Sequence, residues 1–210
     1  MCMKNNSLIY LNKKARLIIG GKTPIPADCG LLCKKACCAV RADISGDELG
    51  MLLFPGEEKL FENDPYVKIE KITLNGNPVW FAVCGGVCDR KNRPLACRIF
   101  PLLPYIPRSG RRKPSPQFCV IGDPRAEFLC PLLSGNLIDP RFYARVGEMT
   151  AALLKNRKMR SFLVSLSETA DGYLRFTGPC DDISRTFKNN VFLRGKADDK
   201  RAYICQELCP

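Results

Sequence analysis

Histidine is absent from the 210-residue chain. That absence removes Ser-His-Asp and Cys-His nucleophilic centres, a histidine general base and imidazole metal ligation. Long apolar runs are missing as well. Stretches such as Met51–Phe54 and Ile99–Leu103 fall far short of the roughly 20 residues a membrane-spanning helix needs. Residues 1–10 hold Lys4, Asn5 and Asn6 but no sustained apolar core and no small-residue cleavage site. No signal peptide is therefore expected, and a cytoplasmic location with no membrane contact is. Neither a glycine-rich phosphate loop nor a G-x-G-x-x-G after a strand occurs. The sequence thus carries no independent sign of a bound nucleotide or methyl donor.

Cysteine, by contrast, is abundant. There are thirteen, in a chain that is 46% hydrophobic and 26% charged, a balance that reads as soluble and globular. The length suits one to one-and-a-half domains and a real core without staples. An odd cysteine count with no secretion signal argues against a closed disulfide framework. Metal ligation, or burial as small hydrophobes, remains, and placement decides between them.

Nine of the thirteen lie between positions 29 and 130. Cys29, Cys33, Cys37 and Cys38 form C-x3-C-x3-C-C; Cys84, Cys88 and Cys97 form C-x3-C-x8-C, running into Arg98-Ile99-Phe100-Pro101. A helical Cys29–Cys38 would line up Cys29, Cys33 and Cys37 on one drifting face, although Gly30 and Pro24-Ile25-Pro26 predict that only part of it is helix. Thiolates are soft ligands, and all-sulfur coordination selects zinc or an iron–sulfur centre over magnesium, calcium or manganese. Ordinary core cysteines are the plain alternative. Two separate clusters holding seven cysteines weigh against it.

This string, with Arg93-Pro94 ahead of Cys97-Arg98-Ile99-Phe100-Pro101, resembles the YkgJ-type cysteine-cluster proteins, a family with a zinc- or iron-chelating C-x-x-C-x-x-C-C domain. The acidic segment Gly50–Glu58 and the later Asp123-Pro124-Arg125-Ala126 and Cys130-Pro131 resemble its other elements. The likeness spans residues 27–135, with three-residue spacers where the family's pattern has two. It implies a metal site; a similar cluster in a flagellin lysine methylase extends that implication to methylation machinery.

Beyond the clusters, Tyr66–Leu74 and Pro78–Cys84 flank Asn75-Gly76, which predicts a β-hairpin. The proline-rich, basic stretch 104–118 predicts a surface loop. Phe142, Val146, Met149 and Leu153 fall at helical spacing behind Asp139 as N-cap and Pro140 at the first position. A second helix is expected over Lys158–Ala170, ending near Gly172. The fold class expected is α+β: a small cysteine-rich metal-binding domain with a β-hairpin, residues 27–135, followed by a mainly helical extension, 136–210, packed on it.

The net charge is +12, and eight basic residues against one acid fall between Cys88 and Lys113. Such a patch suits a phosphate backbone or an acidic partner. It equally suits a solvated loop, or arginines that offset the −2 of a four-thiolate centre. The region lacks the interleaved aromatics of single-strand binders, so nucleic acid is not favoured. Arg98 could donate to a ligand sulfur or pair with Glu57 or Glu58. Those two carboxylates read first as acids opening a helix, and second as a general base or hard ligand.

Cys29, Cys33, Cys37, Cys38, Cys84, Cys88, Cys97 and Cys130 form the expected ligand pool for an iron–sulfur cluster or zinc, enough for two four-sulfur sites. Cys180, Cys205 and Cys209 are expected to be structural, and Cys119 is ambiguous. Three functions remain open: a metal-centre protein with a structural or accessory role, a redox or protein lysine methyl-transfer component, and a zinc-stabilised nucleic-acid binder. The partner, whether a protein or an acidic substrate, is unnamed by the sequence.

Overall fold

The computed structural model describes residues 3–38, 50–84, 92–113, 116–126 and 130–176. They form an α+β arrangement. Helix α1 (Met3–Ile19) precedes the cysteine-bearing turns; strands β1 (Gly50–Leu52), β2 (Val67–Leu74) and β3 (Asn77–Cys84) follow. Next come a short α2 (Leu95–Ile99), β4 (Leu102–Tyr105), β5 (Cys119–Gly122), a one-turn α3 (Pro131–Ser134), and the long α4 (Pro140–Leu154) and α5 (Arg157–Phe176). β1, β3 and β2 make one antiparallel sheet in that order, and β4 pairs antiparallel with β5.

The hairpin turns at Asn75-Gly76, where φ is +48° and +76°, as a two-residue turn with left-handed central residues demands. Leu74 faces Asn77 across it. Its two ends bury opposite faces. Val67 and Ile69 pack with Leu53, Phe61 and Ala82 in a satellite cluster, whereas Ile72, Leu74, Val79 and Phe81 pack on the main core. Because side chains alternate along a strand, the base of the hairpin leans one way and its tip the other. The tip is pinned to α5, with Asn75 Nδ2 donating to Ser165 O at 2.9 Å.

The α4 prediction holds in detail: Asp139 accepts from Arg141 N and Pro140 opens the helix. Phe142, Val146, Met149 and Leu153 are all at most 1% exposed. The second helix is longer than expected, from Arg157 to Phe176, and runs through Gly172 because Leu163, Leu166, Ala170 and Leu174 continue the buried stripe. The main core draws on α1, β1, α2, β4, β5, α3, α4 and α5, so apolar packing is continuous across position 136.

One expectation is corrected. Residues 104–118 are not wholly a surface loop: Leu102–Tyr105 is a fully buried strand, and Ile106 and Pro107 are buried behind it. Pro104 fits because β4 belongs to a two-stranded ladder, whose edges need no N–H on every residue. Cys119, opposite Tyr105, is a core residue at 1% exposure. Two of the four basic residues of this stretch, Arg108 and Arg111, are engaged. Asp171 on α5 accepts from Arg108 at 2.9 Å, Arg111 at 3.0 Å and the Tyr105 hydroxyl at 2.7 Å.

Helix α1 was not anticipated. Its inward positions are Leu8, Asn12, Ala15 and Ile19, the right spacing for a helix face but half of them small or polar. Asn12 is wholly buried and donates to Leu8 O at 3.0 Å and to Pro55 O at 2.9 Å. The second bond fastens the helix to the turn after β1.

A cysteine-lined cavity and its buried carboxylate

The cysteine-rich segment does not form an α-helix. Two 3₁₀ turns, Cys29–Leu31 and Ala36–Cys38, flank Lys34 and Lys35, whose φ values are +51° and +59°. Two consecutive left-handed residues cannot continue a right-handed helix, so the chain doubles back and Lys35 N donates to Gly30 O at 2.9 Å. The entry is fixed by Asp28, which accepts from Gly30 N at 3.0 Å. Upstream, Asp139 N donates to Pro24 O at 2.7 Å, tying the approach loop to the start of α4. Cys33 Sγ reaches Cys29 O at 3.7 Å.

Cys97 comes from a different place. In α2, Leu95 and Ile99 are buried at i and i+4, which turns Ala96, Cys97 and Arg98 toward the other side. Cys130 is the extended residue that caps α3, and burial of Leu132 and Leu133 below it holds it half-exposed. These elements enclose a cavity of about 870 Å³ whose walls include Cys29, Cys33, Cys37, Cys97 and Cys130. Five of the eight expected ligands therefore share one space. No disulfide joins them. Cys88 and the side chains of Cys38 and Cys84 lie outside what is described, as do Cys180, Cys205 and Cys209.

The remaining walls are basic and apolar. Lys13, Arg16, Lys22, Arg93 and Arg98 line the cavity together with Leu17, Phe100, Pro101 and Leu132, and among the described residues no carboxylate does. Three of these cations, Lys13, Arg16 and Lys22, come from α1 and the loop after it, beyond any cysteine motif. Arg125, in the Asp123–Ala126 element, is a further cation near Cys97. Its guanidinium is bidentate to Asp123, at 2.6 and 2.9 Å. Burial alone would lower its pKa, but the Asp123 pair more than offsets this and the nearby Cys97 sulfur acts the same way.

Behind this wall sits Glu57, completely buried. The expectation that it merely opens a helix is too small. It precedes a single 3₁₀ turn, Glu58–Leu60, and its carboxylate joins three segments. Oε2 accepts from Phe54 N at 3.1 Å and Oε1 from Leu95 N at 2.7 Å, while Arg16 Nη1 stands 3.6 Å away. Gly56 makes the approach possible: its φ is +83°, and a Cβ there would meet Leu8 Cβ at 2.6 Å. Arg16 Nη2 then donates to Arg93 O at 2.9 Å, and Arg98 Nε to the same oxygen at 3.1 Å. One buried carboxylate and two arginines thus brace the segment that carries Cys97. Burial pushes the Glu57 pKa up to about 7, against the pull of its two backbone donors, Arg16 and Arg98. Arg98 also interacts with Glu57 through charge, one of the two roles the sequence suggested.

Among the described residues, no three Cys, Asp or Glu side chains stand close enough to grip a single ion. Tetrahedral zinc holds sulfurs about 3.8 Å apart, given Zn–S bonds near 2.3 Å. Among the described residues the cavity donors are soft sulfurs with no carboxylate, a set that suits iron–sulfur or zinc rather than magnesium or calcium.

Comparison with known proteins adds nothing to this geometry: no family model, no curated protein and no solved structure matches the chain. No helix among the described residues is long and apolar enough to cross a membrane.

Proposed function

We propose that this protein is a metal-centre protein in which the cavity cysteines hold an all-cysteine iron–sulfur cluster or zinc, with a structural or accessory role. The supporting observation is the convergence of Cys29, Cys33, Cys37, Cys97 and Cys130, from three separate stretches of chain, on one cavity. Cysteines used only as small hydrophobes are buried individually, as Cys119 is; the cavity set is half-exposed or exposed. Cysteines whose placement is not described, Cys38, Cys84 and Cys88 among them, complete the ligand pool in this reading. The resemblance to YkgJ-type proteins is part of the same proposal.

A second reading, a redox or protein lysine methyl-transfer component, is favoured by the size of the cavity. At about 870 Å³ it is in the range of small-molecule sites. The nucleic-acid reading gains no support, because Arg108 and Arg111 are spent on Asp171. The test is anaerobic purification of the Cys33→Ser/Cys97→Ser variant beside the parent, with iron, zinc and sulfide measured on both. Metal in the parent and its loss from the variant supports the proposal; equal metal in both, or none in the parent, overturns it.

A further inference from the structure

β1 leaves the sheet before β3 ends. Leu53 N donates to Trp80 O at 2.8 Å, and the chain then turns away through Phe54, Pro55 and Gly56, with φ of +83° at the glycine. Among the described residues no strand continues beside Pro78 and Val79 on this side, and Pro78 has no N–H to leave unpaired there. Leu8 and Ile9 of α1, with Lys158 and Phe162 of α5, stand around the gap. The result is a cavity of about 200 Å³ that shares no lining residue with the cysteine-lined one.

Among its described lining residues three are charged: Glu58, Lys59 and Lys158. Glu58 Oε2 is screened from water and has no hydrogen-bond partner, a costly state for a carboxylate oxygen unless a donor is supplied. Lys59 is exposed and paired with Glu62, and it acts on Glu58 as a nearby charge. Lys158 is exposed as well. Trp80, the single tryptophan of the chain, is 37% exposed and lines the same space.

We propose that this cavity binds a free α-amino acid with an apolar side chain. Its ammonium donates to the Glu58 carboxylate, its own carboxylate meets Lys158, and its side chain lies against Trp80, Leu53 and Phe162. The two lysines disfavour a simple cation and Glu58 disfavours a simple anion; a zwitterion suits both ends. The volume lies below the roughly 300 Å³ at which drug-sized sites begin, so the occupant is small. None of this depends on the cysteine-centre reading.

Trp80 supplies the readout: leucine titrated into the full chain, followed by tryptophan emission and by calorimetry on the same sample. Leucinamide lacks the carboxylate, 4-methylpentanoate lacks the ammonium, and glycine lacks the apolar side chain. The expected result is a saturable change in emission with leucine, and binding about tenfold weaker or worse for each of the other three. Glu58→Gln and Lys158→Gln should each weaken leucine by a similar factor, while Arg112→Gln/Lys113→Gln, on exposed positions outside the cavity, should leave it unchanged. No saturable signal at millimolar leucine overturns the proposal. So does 4-methylpentanoate or leucinamide binding as well as leucine, or Glu58→Gln binding like the parent. Glycine binding as well as leucine overturns the apolar-side-chain part. Saturable heat with unchanged Trp80 emission places the ligand elsewhere and overturns the site.

Discussion

The helical layer of α4 and α5 and the cysteine segment after α1 are held together by different means. In the first, Phe142, Val146, Met149, Leu153, Met159 and Leu163 are each at most 1% exposed, and the backbone is regular. In the second, no residue from Ile25 to Cys37 is buried, Leu31 is 79% exposed, and two adjacent lysines take left-handed backbone angles. Partial packing of Ile25 and Cys29 on the core and turn hydrogen bonds are among its supports. Conformational entropy of about 1–2 kcal/mol per ordered residue is met by apolar burial in the helices. In the cysteine segment apolar burial contributes less, and ligation of the sulfurs would add to it under the proposed metal centre.

The contrast can be broken at several points. The largest effect on global stability is expected in the helical layer. Leu153→Ala removes a side chain with no exposed surface and should cost about 2–5 kcal/mol by denaturant titration; a loss under 1 kcal/mol would mean that α4 is not a load-carrying part of the core. Next is metal removal. Chelation, or Cys33→Ser/Cys97→Ser, should abolish amide protection over residues 27–38 and leave protection in α4 and α5 close to that of the parent, since binding energy is ordering energy there. Uniform loss across both regions would show that they are not separable.

Glu57 tests the brace between them. Its folded pKa, about 7, lies above its unfolded value near 4.3, so the native state holds the extra proton. Stability from this group is full below about pH 4 and is lost as pH rises through 7, on the order of 4 kcal/mol in all. Glu57→Gln should flatten that slope. It should also destabilise by about 1–3 kcal/mol, because the amide group cannot accept from both Phe54 N and Leu95 N. An unchanged slope in the variant would place the titration elsewhere. The smallest effect is expected from Leu31→Ser, within about 0.5 kcal/mol; a large one would mean that this exposed leucine packs against something in solution.

The same contrast explains what could be read in advance. Periodicity and turn chemistry are local, so Asn75-Gly76 and Asp139-Pro140 announced the hairpin and α4, and the motif spacing announced Cys29, Cys33 and Cys37 as neighbours. α1 stayed hidden because Asn12 and Ala15 fill two of its four inward positions. The burial of β4 was masked by Pro104 and the basic residues after it, since a strand interior is not where proline is expected. Lys13, Arg16 and Lys22 could not be foreseen at the cavity, because the packing of α1 against α4 and α2 brings them there. Arg16 had one available signal, the need of a buried Glu57 for a cation, but burial at Glu57 is itself a tertiary fact.

The most direct test of the central claim is metal and acid-labile sulfide analysis of the anaerobically purified full chain, with a visible spectrum on the same sample. Iron with sulfide and a broad absorption near roughly 400 nm is the predicted result. Stoichiometric zinc with no colour would keep the thiolate centre and overturn the cluster. Neither metal above trace would contradict the account, and the cysteine segment would need another source of order.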